Sequence, residues 1–245
     1  NNYKHHLCHV ASSYYSSGFT DALCLSIDGF GEFETGMYVS GIGGDLEILN
    51  KKNVYPHSLG LFYSAITDFL GFAVNEGEYK MMGLASFGKP DYYETLSKTI
   101  KFENNKLIVD TNYYDYVRRT DRSYSELLTK ELGINPRRPD LPFEVGTEDF
   151  KIYANVAASA QKLLEDLLFS IFKYANELTG ESNFLFSGGV AMNSAAISKI
   201  TKLDFIKKLN LPPSPGDSGA AIGAAYYGYI NKTNNCVSQN NIKRN

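Results

Sequence analysis

Ser26-Ile27-Asp28-Gly29-Phe30-Gly31-Glu32 is the stretch of sequence on which the fold depends. The apolar run before it, residues 22–25, is typical of a buried strand, and we expect that strand to end at Asp28 in a tight polar turn. Gly29 and Gly31 allow the backbone to take positive φ and to bring its N–H groups close to a phosphate. Asp28, at the end of a buried strand, is placed to hold a cation or to orient a nucleophile. A plain hairpin of the Asp-Gly type is the alternative on these residues alone.

The composition limits the classes of function. The 245 residues carry 24 Lys and Arg against 27 Asp and Glu, a formal net charge of −3, without the basic patch of a nucleic-acid-binding protein. No apolar run approaches the length of a membrane span, and the N-terminal stretch lacks a signal-peptide pattern. Cys8, Cys24 and Cys236 cannot all pair, so we interpret them as reduced thiols. We therefore predict a cytoplasmic protein that binds neither nucleic acid nor membrane.

A histidine pair lies near the start of the chain. His5 and His9 are four residues apart in a stretch predicted to be helical, so their imidazoles share one face. Two imidazoles at this spacing suit a divalent transition metal, with a carboxylate from elsewhere as the usual third ligand. His6 lies on another side of the helix and is the weaker ligand candidate, while His57 is predicted to mark an element boundary. A polar helix face with an incidental histidine pair is the alternative.

Periodicity predicts the order of the remaining elements. They are strands from residue 22, at 34–42 and at 46–54, a helix at 59–70, a strand at 106–109, helices at 123–132 and 148–178, a strand at 183–186, a helix to about 202, a strand at 205–209 and a helix from 217. We interpret residues 56–146 as an insertion that shapes specificity. Within it, Lys80 is a candidate to neutralise a phosphate, and an ordinary surface ion pair with Glu78 is the alternative.

A second glycine turn, Ser187-Gly188-Gly189-Val190-Ala191-Met192-Asn193, lies between a predicted strand and a predicted helix. Strand, paired glycines and helix are typical of a nucleotide-binding turn, in which Asn193 can hydrogen-bond the nucleoside. It is not a Walker loop, because no Gly-Lys-Ser/Thr follows. Close packing of strand against helix, with no ligand, is the alternative. Further on, Asp217 begins a helix of small residues, where the helix dipole favours a carboxylate, and simple capping is the alternative.

The order of elements matches an α/β fold, a ribonuclease-H-like half of the actin and sugar-kinase ATPase superfamily with a mixed sheet flanked by helices. At the level of motifs, the chain resembles the carbamoyltransferases that include nodulation protein U and the O-carbamoyltransferases of cephalosporin and aminoglycoside biosynthesis. Six motifs carry this resemblance and span nearly the whole chain to residue 230. They are HHLCHVAS at 5–12, IDGFGE at 27–32, PHSLGLFYSA at 56–65, GEYKMMGLASFG at 77–88, FSGGVAMN at 186–193 and PSPGDSGAAIGAA at 213–225.

The resemblance implies a site and a reaction. It implies a metal, usually iron, that is held by His5, His9, Asp28 and Asp217. It also implies an adenosine-binding turn that contains Gly188, Gly189, Val190 and Asn193, and it places Lys80 in a motif that lines the pocket. The reaction it implies moves a carbamoyl group from carbamoyl phosphate, through a carbamoyl-adenylate made with ATP, to a hydroxyl or amine of a small-molecule acceptor.

The family pattern also includes segments that these residues do not match. It implies another half-domain at the N-terminal side and a YrdC-like domain at the C-terminal side. We expect that this chain, made alone, either self-associates through the face that those segments would cover or shows no carbamoyl transfer until they are added in cis or in trans. We assign residues 1–21 to the metal-site helix from the end of the first half-domain, 22–230 to the second half-domain with its insertion, and 231–245 to a loose polar tail.

Two other functions remain open on the sequence. One is a non-catalytic module that binds adenine nucleotide to regulate a partner. The other is a sugar-kinase-like phosphotransferase. The histidine pair argues against the kinase, because such kinases use magnesium, which oxygen ligands hold.

Overall fold

The computed structural model describes residues 2–233, apart from the side chains of residues 50–52. The helices are α1 His5–Ser17, α2 Leu59–Phe69, α3 Glu78–Ala85, α4 Tyr93–Ser97, α5 Glu126–Leu132, α6 Glu148–Thr179, α7 Ser194–Ile200 and α8 Asp217–Thr233. The strands are β1 Asp21–Gly31, β2 Glu34–Ile42, β3 Asp45–Val54, β4 Ile100–Glu103, β5 Lys106–Val109, β6 Asn183–Ser187 and β7 Lys208–Asn210. None of the described helices is long and apolar enough to cross a membrane.

The chain divides into two compact units. The first contains the described residues up to Tyr55 together with those from Phe172 onward, and the second is the continuous stretch Pro56–Ile171. The insertion predicted from the sequence, 56–146, begins at the same residue as the second unit. That unit continues further, because it also includes α6 as far as Ile171.

A five-stranded sheet forms the centre of the first unit, in the order β3-β2-β1-β6-β7. Strands β1, β2 and β3 form an antiparallel meander, whereas β6 runs parallel to β1 and β7 runs parallel to β6. The prediction of an α/β fold with a mixed sheet flanked by helices is therefore confirmed.

Helices cover both faces of this sheet. On one face Leu185 of β6 packs in a buried cluster with Val10 and Tyr14 of α1. Side chains alternate along a strand, so Phe184 and Phe186 point to the other face, where their rings lie 5.3 and 5.2 Å from that of Phe172 in α6. A strand buried on both faces has a continuous apolar run, as residues 22–25 of β1 do.

Helix α8 packs against α1 at very short distance. A Cβ at Gly223 would overlap the carbonyl oxygen of Cys8 and would lie 2.8 Å from the backbone nitrogen of Ser12. The small residues of α8 allow this close approach of the two backbones. This packing fixes the start of α8 relative to the first turns of α1.

Several boundaries differ from the sequence prediction, among them the start of α5, which is Glu126 and not residue 123. Strand β1 does not end at Asp28 but continues to Gly31, and the turn is formed by residues 32–33, with Glu32 at φ 61°. The predicted strand at 205–209 is instead the short β7, Lys208–Asn210. The predicted tail from residue 231 overlaps α8, which continues to Thr233. The rest of the tail, with Cys236, lies outside the described residues, whereas Cys8 and Cys24 are buried free thiols.

The second unit is mainly helical and contains one hairpin, formed by β4 and β5. Helix α2 begins after Ser58, whose side chain accepts a hydrogen bond from the Leu61 N–H at 3.0 Å, as is typical of an N-cap serine. His57 accepts a hydrogen bond at Nδ1 from the Val109 N–H at 3.1 Å. It marks the boundary before α2, as we expected.

Candidate metal centre

Helix α1 brings two imidazoles together. The Nε2 atoms of His5 and His9 lie 3.0 Å apart, with ring centroids separated by 4.5 Å. The His9 side chain is 1% exposed and the His5 side chain is 23% exposed. One turn of helix separates them, so their spacing follows directly from the sequence.

Asp28 approaches the pair from an irregular part of β1. The β1–β2 ladder shifts register between Ile27 and Gly31, so Asp28 lies in a bulge-like region, where strands often redirect a side chain toward a site. Its Oδ2 is 3.4 Å from His5 Nε2 and 3.1 Å from His9 Nε2. Its Oδ1 accepts a hydrogen bond from the Gly29 N–H at 2.7 Å. The carboxylate is therefore held at one oxygen and presented to both imidazoles with the other.

Asp217 contributes a second carboxylate from the first residue of α8. Its Oδ1 is 3.5 Å from His5 Nε2 and 3.3 Å from His9 Nε2. Its side chain is 78% exposed, in contrast to the buried His9. The site therefore opens to solvent on the Asp217 side.

These four residues fit a metal ion. One donor atom from each of them lies within 4.8 Å of all the others. Donors about 2.1 Å from a common metal are separated by about 3.0 Å in octahedral and about 3.4 Å in tetrahedral coordination. The nitrogen–nitrogen and nitrogen–oxygen separations, 3.0–3.5 Å, match these values. Two imidazoles with two carboxylates suit a divalent transition metal better than magnesium or calcium.

The electrostatics of the cluster favour a negative Asp28. Burial alone raises the pKa of its carboxyl, but hydrogen bonds from His5, His9 and the Gly29 N–H outweigh burial and hold that pKa well below its ordinary value. The hydrogen bond to Asp28 raises the pKa of His5 by more than burial lowers it. Two negative side chains facing two imidazoles give a site that attracts a cation.

His6 has a role that the sequence did not reveal. Its ring is 1% exposed, with Nδ1 2.8 Å from Ser26 Oγ and Nε2 3.0 Å from the Glu34 carbonyl oxygen. Because a carbonyl only accepts, Nε2 carries the proton and Nδ1 accepts from the Ser26 hydroxyl. Burial lowers the pKa of His6 to about 4, so its imidazole is neutral at pH 7. His6 joins α1 to β1 and β2 and so supports the two neighbouring histidines.

The second glycine turn lies beside Asp28. Strand β6 pairs in parallel with β1, with Ser187 opposite Ser26, so the segments that follow the two strands lie at the same edge of the sheet. Gly188 has φ 91°, and a Cβ there would overlap the carbonyl oxygen of Ile27. A Cβ at Gly189 would lie 2.8 Å from Asp28 Oδ1. Neither glycine therefore has room for a side chain in this structure.

The other predicted site residues are distributed as follows. Val190 is buried, and the Asn193 side chain caps α7 by accepting a hydrogen bond from the Ala196 N–H at 3.0 Å. Gly31 lies against the His5 ring. Lys80 is exposed on α3 of the second unit, with its amine 5.8 Å from the Tyr79 ring centroid.

The fold and the site define an α/β protein with a two-histidine, two-carboxylate centre at the edge of a mixed sheet. The family model described as Carbamoyltransferase N-terminus matches residues 1–226. The chain belongs to this family, and the resemblance predicted from its six motifs is confirmed.

Individual relatives match the chain over most of its length. The chain is 34% identical over 227 residues to the uncharacterized protein sll1178 of Synechocystis sp. and 33% identical over 224 residues to the nodulation protein NolNO of Sinorhizobium fredii. Each match covers 91% of this chain but only 35% and 30% of the relative. The chain thus spans about a third of the length of these curated relatives.

Solved structures share the fold. Full-length HypF, in its phosphate- and nucleotide-bound form, superposes with a TM-score of 0.51 at 16% sequence identity. The match covers 93% of this chain and 42% of that chain. At this identity the likeness supports the mixed α/β fold and no more.

Proposed function

We propose that this chain is the metal- and nucleotide-binding part of a carbamoyltransferase. The enzyme would move a carbamoyl group from carbamoyl phosphate, through a carbamoyl-adenylate, to a hydroxyl or amine of a small-molecule acceptor. The observation that carries the proposal is the convergence of His5, His9, Asp28 and Asp217 at donor separations that fit a metal ion. Membership of the carbamoyltransferase family supports it.

The four residues would hold a divalent metal, with iron as the expected ion. The metal would supply Lewis acidity toward phosphate and carbamoyl oxygens of the substrate. His5 and His9 offer their Nε2 atoms, and the low pKa of Asp28 keeps its carboxylate available at neutral pH. The exposed Asp217 leaves one side of the centre open to a ligand.

The second glycine turn would bind the adenosine part of the nucleotide. The turn follows β6, and Asp28 follows the regular part of β1, at the same edge of the sheet. Open α/β sheets bind their ligands at such an edge. The solved HypF structure, with its bound phosphate and nucleotide, is a further reason to test this. The strand order, an antiparallel meander followed by two parallel strands, supports a ribonuclease-H-like half of the actin superfamily.

The transfer itself is a substitution at the carbamoyl carbon. The acceptor oxygen or nitrogen forms a bond to that carbon, the bond from the carbon to the adenylate phosphate oxygen breaks, and AMP leaves with the electron pair. The acceptor proton passes to solvent or to the phosphate. Lys80, from its place in the GEYKMMGLASFG motif, remains our candidate for neutralising phosphate charge.

Metal analysis tests the proposal. We expect the purified chain, after incubation with Fe²⁺ under anaerobic conditions or with Co²⁺, to retain one ion per chain, and the His9→Ala variant to retain none. Elemental analysis and the visible absorption of Co²⁺ measure this. Retention of Mg²⁺ with no transition metal would favour the sugar-kinase-like alternative.

Thermal unfolding tests the nucleotide site. A ligand that binds only the folded state raises the melting temperature by mass action, so ATP is expected to raise that of this chain. Gly189→Leu places a large side chain in the turn and is expected to abolish the shift. A shift that survives this substitution would place the nucleotide elsewhere.

A further inference from the structure

We infer that Gly31 and Gly189 are positioning residues of the metal centre, each of which leaves the space that one ligand occupies. This inference rests on the metal site proposed above and assigns the two glycines a role beyond nucleotide binding. It follows from the contacts that a side chain at either position would make with His5 or Asp28.

Gly31 lies directly against His5. A Cβ at Gly31 would be 2.6 Å from the His5 Cβ and closer still to Cγ and Cδ2 of the ring. Non-bonded carbon atoms pack at about 3.5–4.0 Å, so any side chain at this position would displace the imidazole. Because the His5 Cβ is fixed by the helix, a change of rotamer alone cannot relieve the contact.

Gly189 lies directly against the Asp28 carboxylate. A Cβ there would be 2.8 Å from Asp28 Oδ1, the oxygen that the Gly29 N–H holds at 2.7 Å. Moving this oxygen would break that hydrogen bond or rotate the carboxylate. Rotation would turn Oδ2 away from the two imidazoles, which it now approaches at 3.1 and 3.4 Å.

The backbone does not explain these two glycines. Neither has positive φ, whereas Gly188 beside them has φ 91°. Alanine could therefore adopt the backbone conformation at 31 and at 189 without strain. What requires glycine is the volume taken by a metal ligand, and both glycines are supplied by elements other than the helix that carries the histidines.

The test measures the affinity of the purified chain for Co²⁺ by titration with visible absorption, for wild type, Gly31→Ala and Gly189→Ala. We expect each variant to bind at least about tenfold more weakly, as for other changes that misplace a metal ligand. Gly83→Ala is the matched control, because a Cβ there meets nothing within 4 Å. Its affinity should equal that of wild type.

A double-mutant cycle on stability tests whether the contact of residue 31 is with His5. His5→Gly removes the three atoms nearest to a Cβ at 31, so Gly31→Ala should lower the melting temperature of the metal-free chain by less in that background than in wild type. Circular dichroism and melting of the metal-free proteins report folding directly. If Gly31→Ala does not fold, Gly189→Ala decides, since its contact is with the end of a side chain.

The outcomes are distinct. Wild-type affinity in both folded variants would overturn the inference while leaving the metal site in place. Failure of the wild-type chain to bind Co²⁺ would overturn the proposed metal site and this inference with it. Weaker binding by the alanine variants, with Gly83→Ala unchanged and a smaller loss of melting temperature from Gly31→Ala in the His5→Gly background, would support it.

Discussion

Asp28 connects the candidate metal centre to the sheet. It faces both imidazoles with one oxygen, accepts from the Gly29 N–H with the other, and lies where the β1–β2 ladder is irregular. These neighbours hold the pKa of the Asp28 carboxyl below its ordinary value, so the charged form is the stable one.

Replacing Asp28 by Asn tests this role with little change in shape. We expect Co²⁺ affinity to fall by more than about tenfold, because a neutral amide replaces a charged ligand. Isothermal titration would measure it. Asp21→Asn, at an exposed position at the start of the same strand, is the control and should bind like wild type. Equal affinity of Asp28→Asn and wild type would show that this carboxylate is not a ligand.

Gly188 presents a different requirement, since its backbone has φ 91° and its Cα faces the Ile27 carbonyl. We predict that Gly188→Ala lowers the free energy of unfolding by at least about 1–3 kcal/mol from backbone strain, with a further loss from the overlap. Urea unfolding measures the change. Gly43→Ala has φ 60° but open space around it, so it isolates the strain and should be the milder variant. Similar losses of unfolding free energy in Gly188→Ala and Gly43→Ala would show that the structure relieves the overlap with Ile27 at little cost.

At the scale of elements, the anchoring of α1 depends on His6. Its two hydrogen bonds, to Ser26 of β1 and to the Glu34 carbonyl of β2, are both buried. The strands therefore hold the helix at the turn from which His5 and His9 project. The same histidine is in edge contact with the His5 ring, with centroids 5.3 Å apart.

We predict that His6→Ala lowers the free energy of unfolding by about 1–3 kcal/mol, because two buried polar groups lose their partner. Thermal and urea unfolding of the metal-free chain would measure it. The double variant His6→Ala/Ser26→Ala should lose less unfolding free energy than the sum of the losses in the two single variants, since one hydrogen bond is shared. Strict additivity of the two losses would argue against a hydrogen bond between His6 and Ser26.

Much of the element order could be predicted, because long segments have clear periodicity. The meander, α2, α6 and α8 lie close to their predicted positions. Strand β4, with only Ile100 buried, has too weak a pattern and was missed. The end of β1 was predicted wrongly, because Asp-Gly favours a turn locally while pairing of Gly31 with Glu34 extends the strand.

The candidate site was predictable to a similar degree. A helical spacing of four and two carboxylates at element ends, with a family motif around each, indicated the four residues that the structure brings together. The roles of His6 and Gly31 depend on which strand residues face α1. Strand register sets that, and one sequence alone does not show it.

At the scale of the whole molecule, the chain spans about a third of the curated relatives it matches. We predict that, made alone, it does not transfer carbamoyl groups, and that it does so when the remaining segments of a full-length relative are added in cis or in trans. The assay supplies ATP, carbamoyl phosphate, metal and a panel of polyhydroxylated acceptors, and follows AMP release. Metal-dependent turnover by this chain alone would contradict the prediction. Nucleotide binding without transfer in the full-length protein would favour a regulatory module.

The parallel pairing of β1 with β6 has a consequence for synthesis on the ribosome. Ser26 lies opposite Ser187, whereas the second unit is one continuous stretch. Since a nascent chain emerges from its N-terminal side, residues 56–171 can fold before β6 is available to pair with β1. Such distant contacts form slowly and leave a strand edge open to wrong partners. Capture of the proposed metal is thus expected late in biogenesis, after Asp217 has left the exit tunnel.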